Sequence, residues 1–468
     1  MGATERIAAF VVEGRYEGIP EEARERGKTY MLDALAVMLA GATEEGTRIV
    51  HGWVREMGGR EDAEVAGGGF RAPAALAAFA NGAAGHALDY DDTILFTSNA
   101  AVYGVRLHPS VPTLAAALAV AEQVGASGRD LLAAFVYGFE VTCRVADATD
   151  REHYRRGYHP TGVIGPLGAA AGAGRLLGLD RSGLRRALGV AATSGGGLRE
   201  NYGTMTKPFH AGRAAESGVV AAQLAARGFT ASENVLEGER GLFRAVAGGF
   251  DEGRLLDRLG DPFYVVRPGA AIKPYPTGSL THPVLDAVFE LIEEHELEAD
   301  QVERVEVGSN SNLFGSLIHA DAKTGLEAKF SIPACVALAF VVRRVGIAQL
   351  QDRVVARPEV RALMPRVRLY VHPEIEALGF DQPRAIVEVH VRDGRVLSRR
   401  ADVAQGTAEK PMTRAQLHEK ARDCAGLVMP ARQAEALIAT VEHLEDEPDT
   451  SRLVGLLRPM NAEASPGD

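Results

Sequence analysis

The stretch Ala74-Ala75-Leu76-Ala77-Ala78-Phe79-Ala80-Asn81-Gly82-Ala83-Ala84-Gly85-His86-Ala87 decides the fold of this chain. It is almost wholly small and apolar, too long for a strand and without a strand's alternation, so it reads as a helix packed closely on its neighbours. Pro73 just ahead of it suits the first helical position. The run then meets Leu88-Asp89-Tyr90-Asp91-Asp92-Thr93, which sets one imidazole and three carboxylates at its end. If the helix continues, His86, Asp89 and Tyr90 share one face at i, i+3 and i+4. Burying such groups costs roughly 2–7 kcal/mol apiece without partners, even when they are neutral. Ionisable groups gathered where packing alone would be less costly mark a candidate site.

The same texture recurs along the chain. Alanine-rich segments at helical spacing cover 31–40, 111–124, 131–146, 162–177, 186–193 and 213–226, with turns such as Gly125-Ala126-Ser127-Gly128 between them. Glycines inside the apolar runs predict close helix–helix approach, and no fixed-period repeat supports a solenoid. Near Arg267 the pattern changes. A helix over 283–295 is followed by alternating segments at 302–307 and 367–371, and by 386–391 and 395–399 flanking Asp393-Gly394, a hairpin signal. Helical segments at 332–342 and 352–362 lie among them, and helices return over 413–425 and 431–444. The prediction is a mainly α fold: a large all-helical domain over 1–266, an inserted smaller α+β domain over 267–405, and C-terminal helices over 406–468 that return to the first. Residues from 461 read as a frayed tail. A site between the two domains is the natural expectation for a small ligand.

Composition narrows the function. With 468 residues, 46% hydrophobic and 24% charged, the chain is ordinary for a soluble globular protein. Its net charge of −11 argues against nucleic-acid binding, and any anionic substrate must be held by local cations. Cys143, Cys335 and Cys424 are far apart, which supports neither a zinc knuckle nor a disulfide framework. No leader or membrane-length apolar run is seen, so a cytoplasmic location is expected.

Histidines precede prolines at His108-Pro109, His159-Pro160 and His282-Pro283. Since proline favours the first helical turn, each imidazole is expected beside the free N–H groups of a helix start, an environment that favours neutral imidazole and attracts carboxylates. A neutral histidine beside a bound acid is a sound general base; a bare turn cap is the alternative. His372-Pro373, among strands, reads as structural. Lys207 and Lys273 stand in segments short of other charge. The turn Ser194-Gly195-Gly196-Gly197-Leu198-Arg199 lacks a phosphate-loop pattern, so a carboxylate clamp by Arg199 fits better than a nucleotide site. His86, Asp89, Asp91, Asp92 and His108 are alternatively metal ligands, though lysines are poor company for a cation.

Taken together, Asn81 to Thr93, His108-Pro109-Ser110, Gly157-Tyr158-His159-Pro160-Thr161, Leu198 to Gly212, Lys273 to Pro276 with Thr281-His282-Pro283, and Glu327-Ala328-Lys329-Phe330-Ser331 resemble the MmgE/PrpD family. That family includes 2-methylcitrate dehydratase, cis-aconitate decarboxylase and iminodisuccinate epimerase. The resemblance implies a large helical domain with a smaller α+β lid, a homodimer and no cofactor, and no bound metal is expected. It carries a pocket over to Asp89, Thr93, His108, His159, Lys207 and Lys273. Two positions depart from the decarboxylase pattern: its pocket histidine falls on Gly278, with His282 as a possible substitute, and its pocket tyrosine falls on Ala334. The segment 94–107 reads as longer than in many members.

The expected activity is a lyase, specifically a hydro-lyase acting on a methylcitrate-like polycarboxylate by general acid/base proton abstraction. Asp89, His108, His159, Lys207 and Lys273 are its catalytic candidates, and His86, Thr93, Arg199 and His282 its substrate-binding candidates. An epimerase of an iminodisuccinate-like dicarboxylate needs the same groups. A cis-aconitate-type decarboxylase and a metal-dependent hydrolase are further alternatives. Nucleic acid and membrane partners are not expected.

Overall fold

The computed structural model describes residues 1–94, 102–379 and 382–459, with the side chains of 314–316 outside that description. The expected frayed tail and most of the segment expected to be long, 95–101, therefore lie outside the described residues. Contacts divide the chain into two units, Met1–Ala270 with Thr413–Asp468, and Ala271–Met412.

The first unit is a helical body. Helices α1 (Ala3–Glu13), α2 (Glu21–Gly41) and α3 (Glu45–Met57) are followed by a short antiparallel pair, β1 (Ala63–Val65) and β2 (Phe70–Ala72). Then come α4 (Ala74–His86), α5 (Ser110–Val124), α6 (Gly128–Ala148), α7 (Pro160–Leu176), α8 (Arg181–Ser194) and α9 (Thr206–Ala226). Helices α4, α5, α7 and α9 pack against one another at the centre. Their glycines do what the composition predicts. A Cβ on Gly82 of α4 would lie 2.9 Å from the Gly212 Cα of α9, and one on Gly212 would lie 2.5 Å from the Phe79 carbonyl oxygen. At the turn from α5 to α6, Gly125 adopts a left-handed conformation, and Ser127 and Asp130 form a capping box.

Three local readings differ from the sequence expectation. The strands β1 and β2, three residues each around Gly67-Gly68-Gly69, are too short to show alternation, so the first unit is not all helix. Pro73 sits just outside α4, with extended ψ, rather than in its first turn. And α4 stops at His86: Asp89 has φ +51°, a left-handed conformation that no continuing helix allows, so His86, Asp89 and Tyr90 do not share a helical face.

The second unit holds a mixed sheet in the order β4 (Val367–Val371), β3 (Val302–Ser309), β5 (Ala385–Val391), β6 (Val396–Ala401). Strands β3 and β4 are parallel, and the other pairs antiparallel. Strand β5 alternates cleanly: Ala385, Val387, Val389 and Val391 face a core shared with α10 (His282–His295) and α11 (Ile332–Val342). The helix expected over 352–362 is two pieces, Asp352–Val355 and Pro358–Leu363, because Pro358 cannot continue the first.

The chain returns to the first unit with α12 (Arg414–Ala425) and α13 (Ala431–Glu442). The fold is thus mainly α with a small α+β portion. Lys420 of α12 is buried against Asp33 of α2 at 2.6 Å, donates to the Tyr90 carbonyl oxygen at 2.8 Å, and stands 3.8 Å over the Tyr90 ring. The C-terminal return therefore pins the turn that follows α4. All three cysteines are buried free thiols, and among the described residues no helix is long and apolar enough to cross a membrane.

Candidate active site

The turn after α4 collects the ionisable groups. His86, at the end of α4, places Nδ1 3.0 and 2.9 Å from the two Asp91 oxygens. His108, just ahead of α5, brings its own Nδ1 to 3.2 Å from Asp91 Oδ2. One carboxylate thus lies between two imidazoles whose ring centres are 4.4 Å apart. Burial alone would raise the Asp91 carboxyl, but its two imidazole partners, His108 and His86, outweigh it and hold it well below the usual range. Burial drives His86 down to about 4 despite Asp91, so His86 is neutral, donates Nδ1–H and acts as a strut.

Asp92 points elsewhere. It accepts from Ser110 Oγ at 2.7 Å and Ser110 N at 3.3 Å, and burial pushes its carboxyl well above the usual range against those bonds. Asp89 turns to α9, where Lys207 Nζ stands 2.5 Å from its Oδ1; the same oxygen is 3.7 Å from His108 Nε2. The left-handed Asp89 backbone is strain of the kind that persists where the surroundings over-determine it.

From the other side come α7 and α9. His159 is the N-cap of α7 and Lys207 lies in the first turn of α9. His159 stacks on His86 at 5.8 Å and meets Tyr202 edge-on at 5.1 Å, and Lys207 Nζ lies 5.5 Å from the Tyr202 ring centre. Burial first, then the nearby Lys207, His86, His108 and His210, hold His159 well below the normal imidazole range.

Asp89, His108, His159, Lys207 and His86 are therefore brought together within the first unit. Thr93 is buried next to them in sequence, with its hydroxyl donating to the Leu107 carbonyl at 3.3 Å. Arg199 stacks on Tyr154, 3.6 Å from the ring centre, and donates to the Tyr154 carbonyl at 3.1 Å. In the second unit, Lys273 Nζ and His282 Nε2 each lie 3.3 Å from the Thr277 carbonyl oxygen, so those two candidates share one backbone acceptor. His282 lies within the first turn of α10, not before it. Donor atoms of His86, Asp89, Asp91 and His108 lie within 4.8 Å of one another, a spacing a metal ion would accept. The donor set is nevertheless already balanced, by the Lys207 ammonium on Asp89 and the imidazoles on Asp91, and suits proton transfer better than holding a cation.

Comparison with known proteins fixes the lineage. The family model of the MmgE/PrpD N-terminal domain matches residues 5–254, and that of the MmgE/PrpD C-terminal domain matches 275–446. The chain belongs to the MmgE/PrpD family. Among its relatives is the cis-aconitate decarboxylase of Mus musculus, 29% identical over 468 residues, spanning 97% of this chain and 93% of the relative. The human enzyme of the same name is 29% identical over 466 residues, with 97% and 94% covered. The Aspergillus terreus enzyme is 26% identical over 477 residues, with 97% and 96% covered.

Within this MmgE/PrpD chain, several neighbours of the cluster were not among the sequence candidates. The sequence offers Asp91 only as an alternative metal ligand, although His86 five residues earlier is a signal for the pairing. Tyr202 and His210 lie within the stretch that carried Lys207, and His210 follows Lys207 by one helical turn. At the positions that depart from the decarboxylase pattern, Gly278 N donates to the Lys329 carbonyl at 2.8 Å and Ala334 is buried in α11.

Proposed function

We propose that this MmgE/PrpD protein is a lyase acting on a small polycarboxylate by side-chain proton transfer. The observation that carries the reading is the buried His86–Asp91–His108 chain set beside the Lys207–Asp89 pair. Asp91, kept ionised, draws Nδ1–H of His108 toward itself and leaves His108 Nε2 as the basic nitrogen on the side of Asp89 and Lys207. Lys207 exchanges Asp89 for a substrate carboxylate, and that ammonium stabilises the charge that develops when a neighbouring C–H proton is removed.

The finer proposal is a hydro-lyase. His108 takes the proton from carbon, the C–H electron pair becomes the C=C bond, and the C–O pair leaves with the hydroxyl group. His159, as the acid, protonates that group to water. The glycine at 278 and alanine at 334, in place of the decarboxylase histidine and tyrosine, support dehydration over decarboxylation. A decarboxylase is the second reading, favoured by relatives of that name aligned over nearly the whole chain. In that case the proton is delivered to the carbon that loses carbon dioxide.

The test is proton NMR of the enzyme in D2O with methylcitrate, citrate, cis-aconitate and iminodisuccinate. A new vinyl signal from a hydroxy acid supports the hydro-lyase, loss of carbon dioxide from cis-aconitate the decarboxylase, and deuterium exchange without a new product an epimerase. Silence across the panel removes the polycarboxylate reading.

A further inference from the structure

His210 is buried on α9, and its Nδ1 lies 3.0 Å from Nδ1 of His159, with the ring centres 5.2 Å apart. Two imidazoles facing each other through the same nitrogen can form only one N–H···N bond, so one ring donates and the other accepts. The loop Gly195-Gly196-Gly197 is shaped around this pair. Gly197, at φ +148°, accepts from His159 N at 2.9 Å, and a Cβ there would lie 3.1 Å from His210 Cγ, 3.2 Å from its Nδ1 and 3.4 Å from His159 Cβ. A Cβ on Gly162, in the first turn of α7, would lie 2.1 Å from the Gly196 carbonyl oxygen and 3.1 Å from His210 Cβ. The glycine run that reads in sequence as a turn delivering an arginine thus holds two rings in register.

We propose that His210 is the positioning residue of His159: by donating its Nδ1 proton into His159 Nδ1 it confines the single proton of that ring to Nε2, so that His159 enters the reaction as a proton donor. The direction of the bond follows from the role given to His159: to protonate a leaving hydroxyl it must carry its one proton on Nε2, which leaves Nδ1 bare, and the only ring nitrogen bonded to that Nδ1 among the described residues is Nδ1 of His210, which must then donate. Among the described residues no protein group bonds His159 Nε2, which leaves that N–H for a substrate.

The proposal deepens the lyase reading and rests on it for the direction of the bond, but the tautomer itself is read without substrate. The experiment is two-bond ¹H–¹⁵N correlation of ¹⁵N-histidine-labelled enzyme near neutral pH, with the His159 signals assigned by difference against His159→Gln. The expected wild-type spectrum has His159 protonated at Nε2 and bare at Nδ1; the opposite tautomer overturns the proposal whatever reaction the enzyme runs. His210→Asn, which retains an amide donor, is expected to keep that pattern. His210→Leu is expected to mix the tautomers and, with the substrate found in the panel, to lower kcat roughly threefold to tenfold at little-changed KM, the range one hydrogen bond controls. If His210→Leu does not fold, the wild-type spectrum and the His210→Asn pair still decide. Unchanged kcat in a folded His210→Leu overturns the positioning role, and a correct tautomer with no turnover on any polycarboxylate discards the lyase reading alone.

Discussion

Replacing Asp91 by asparagine keeps the shape of the residue and removes one charge from the centre of the cluster. Asp91 is fully buried and accepts toward both His86 Nδ1 and His108 Nδ1. An amide offers only one acceptor oxygen; its NH2 must face the other ring and donate to a bare Nδ1. One of the two imidazoles therefore moves its proton to Nε2. If His108 does so, its Nε2 no longer carries the lone pair that takes the substrate proton. A positioned general base is worth about 10²–10⁴ in rate, so Asp91→Asn is expected to lower kcat at least 100-fold. Substrate binding by Lys207 is untouched, so KM stays within about threefold. A hydrogen bond to a charged partner contributes about 1.5–3 kcal/mol, so weakening the His86 bond destabilises the fold by about that amount. Initial rates by NMR, together with urea unfolding of both proteins, measure all three. A folded Asp91→Asn enzyme with kcat within threefold of wild type refutes the role given to the His86–Asp91–His108 chain.

Acid is expected to weaken the protein before ordinary carboxylates titrate. Burial lowers His51, with Arg55, to about 4, and His153, against a backbone bond, to about 4. Their folded values lie below the unfolded value near 6.5, so the stability they contribute is present above pH 6.5 and is lost as pH falls toward 4. Each costs about 1.4 kcal/mol per pH unit in that window. His153 stacks on Tyr158 and is not one of the candidate site residues, so His153→Phe should flatten urea stability between pH 6.5 and 5 by that slope, and an unchanged slope refutes the assignment. Lys207→Met takes the ammonium from buried Asp89 and is expected to destabilise by about 3–5 kcal/mol and to raise KM for a polycarboxylate at least tenfold. Adding Asp89→Asn should recover the stability but not the KM, which unfolding and kinetics on the double variant read directly. Gly212→Ala forces a Cβ to 2.5 Å from the Phe79 carbonyl oxygen and should cost about 1–3 kcal/mol in thermal unfolding; a neutral result contradicts the close crossing of α4 and α9.

Helices and strands with strong periodicity were legible in the sequence, and α5, α7, β4 and β5 fall within a residue or two of their expected limits. What the pattern missed is short or set by tertiary contact. The β1–β2 pair has too few residues for a period, and the helix over 352–362 is broken by a proline that apolar spacing ignores. The candidate site was legible as a set of residue types but not as pairings. Sequence spacing joins His86 to Asp89, whereas the left-handed backbone at Asp89 sends that carboxylate to Lys207 and gives His86 to Asp91. The His159–His210 contact crosses from α7 to α9 and has no local signature beyond the glycine run that accommodates it.

If side chains alone move the proton, turnover survives the removal of every metal ion. Purified enzyme is stripped with a chelator, checked by elemental analysis, and followed by proton NMR in D2O with the polycarboxylate panel. The expected result is an unsaturated product forming at the same rate before and after stripping. Turnover that disappears on stripping and returns with an added divalent metal would contradict it, and would reassign His86, Asp89, Asp91 and His108 as metal ligands.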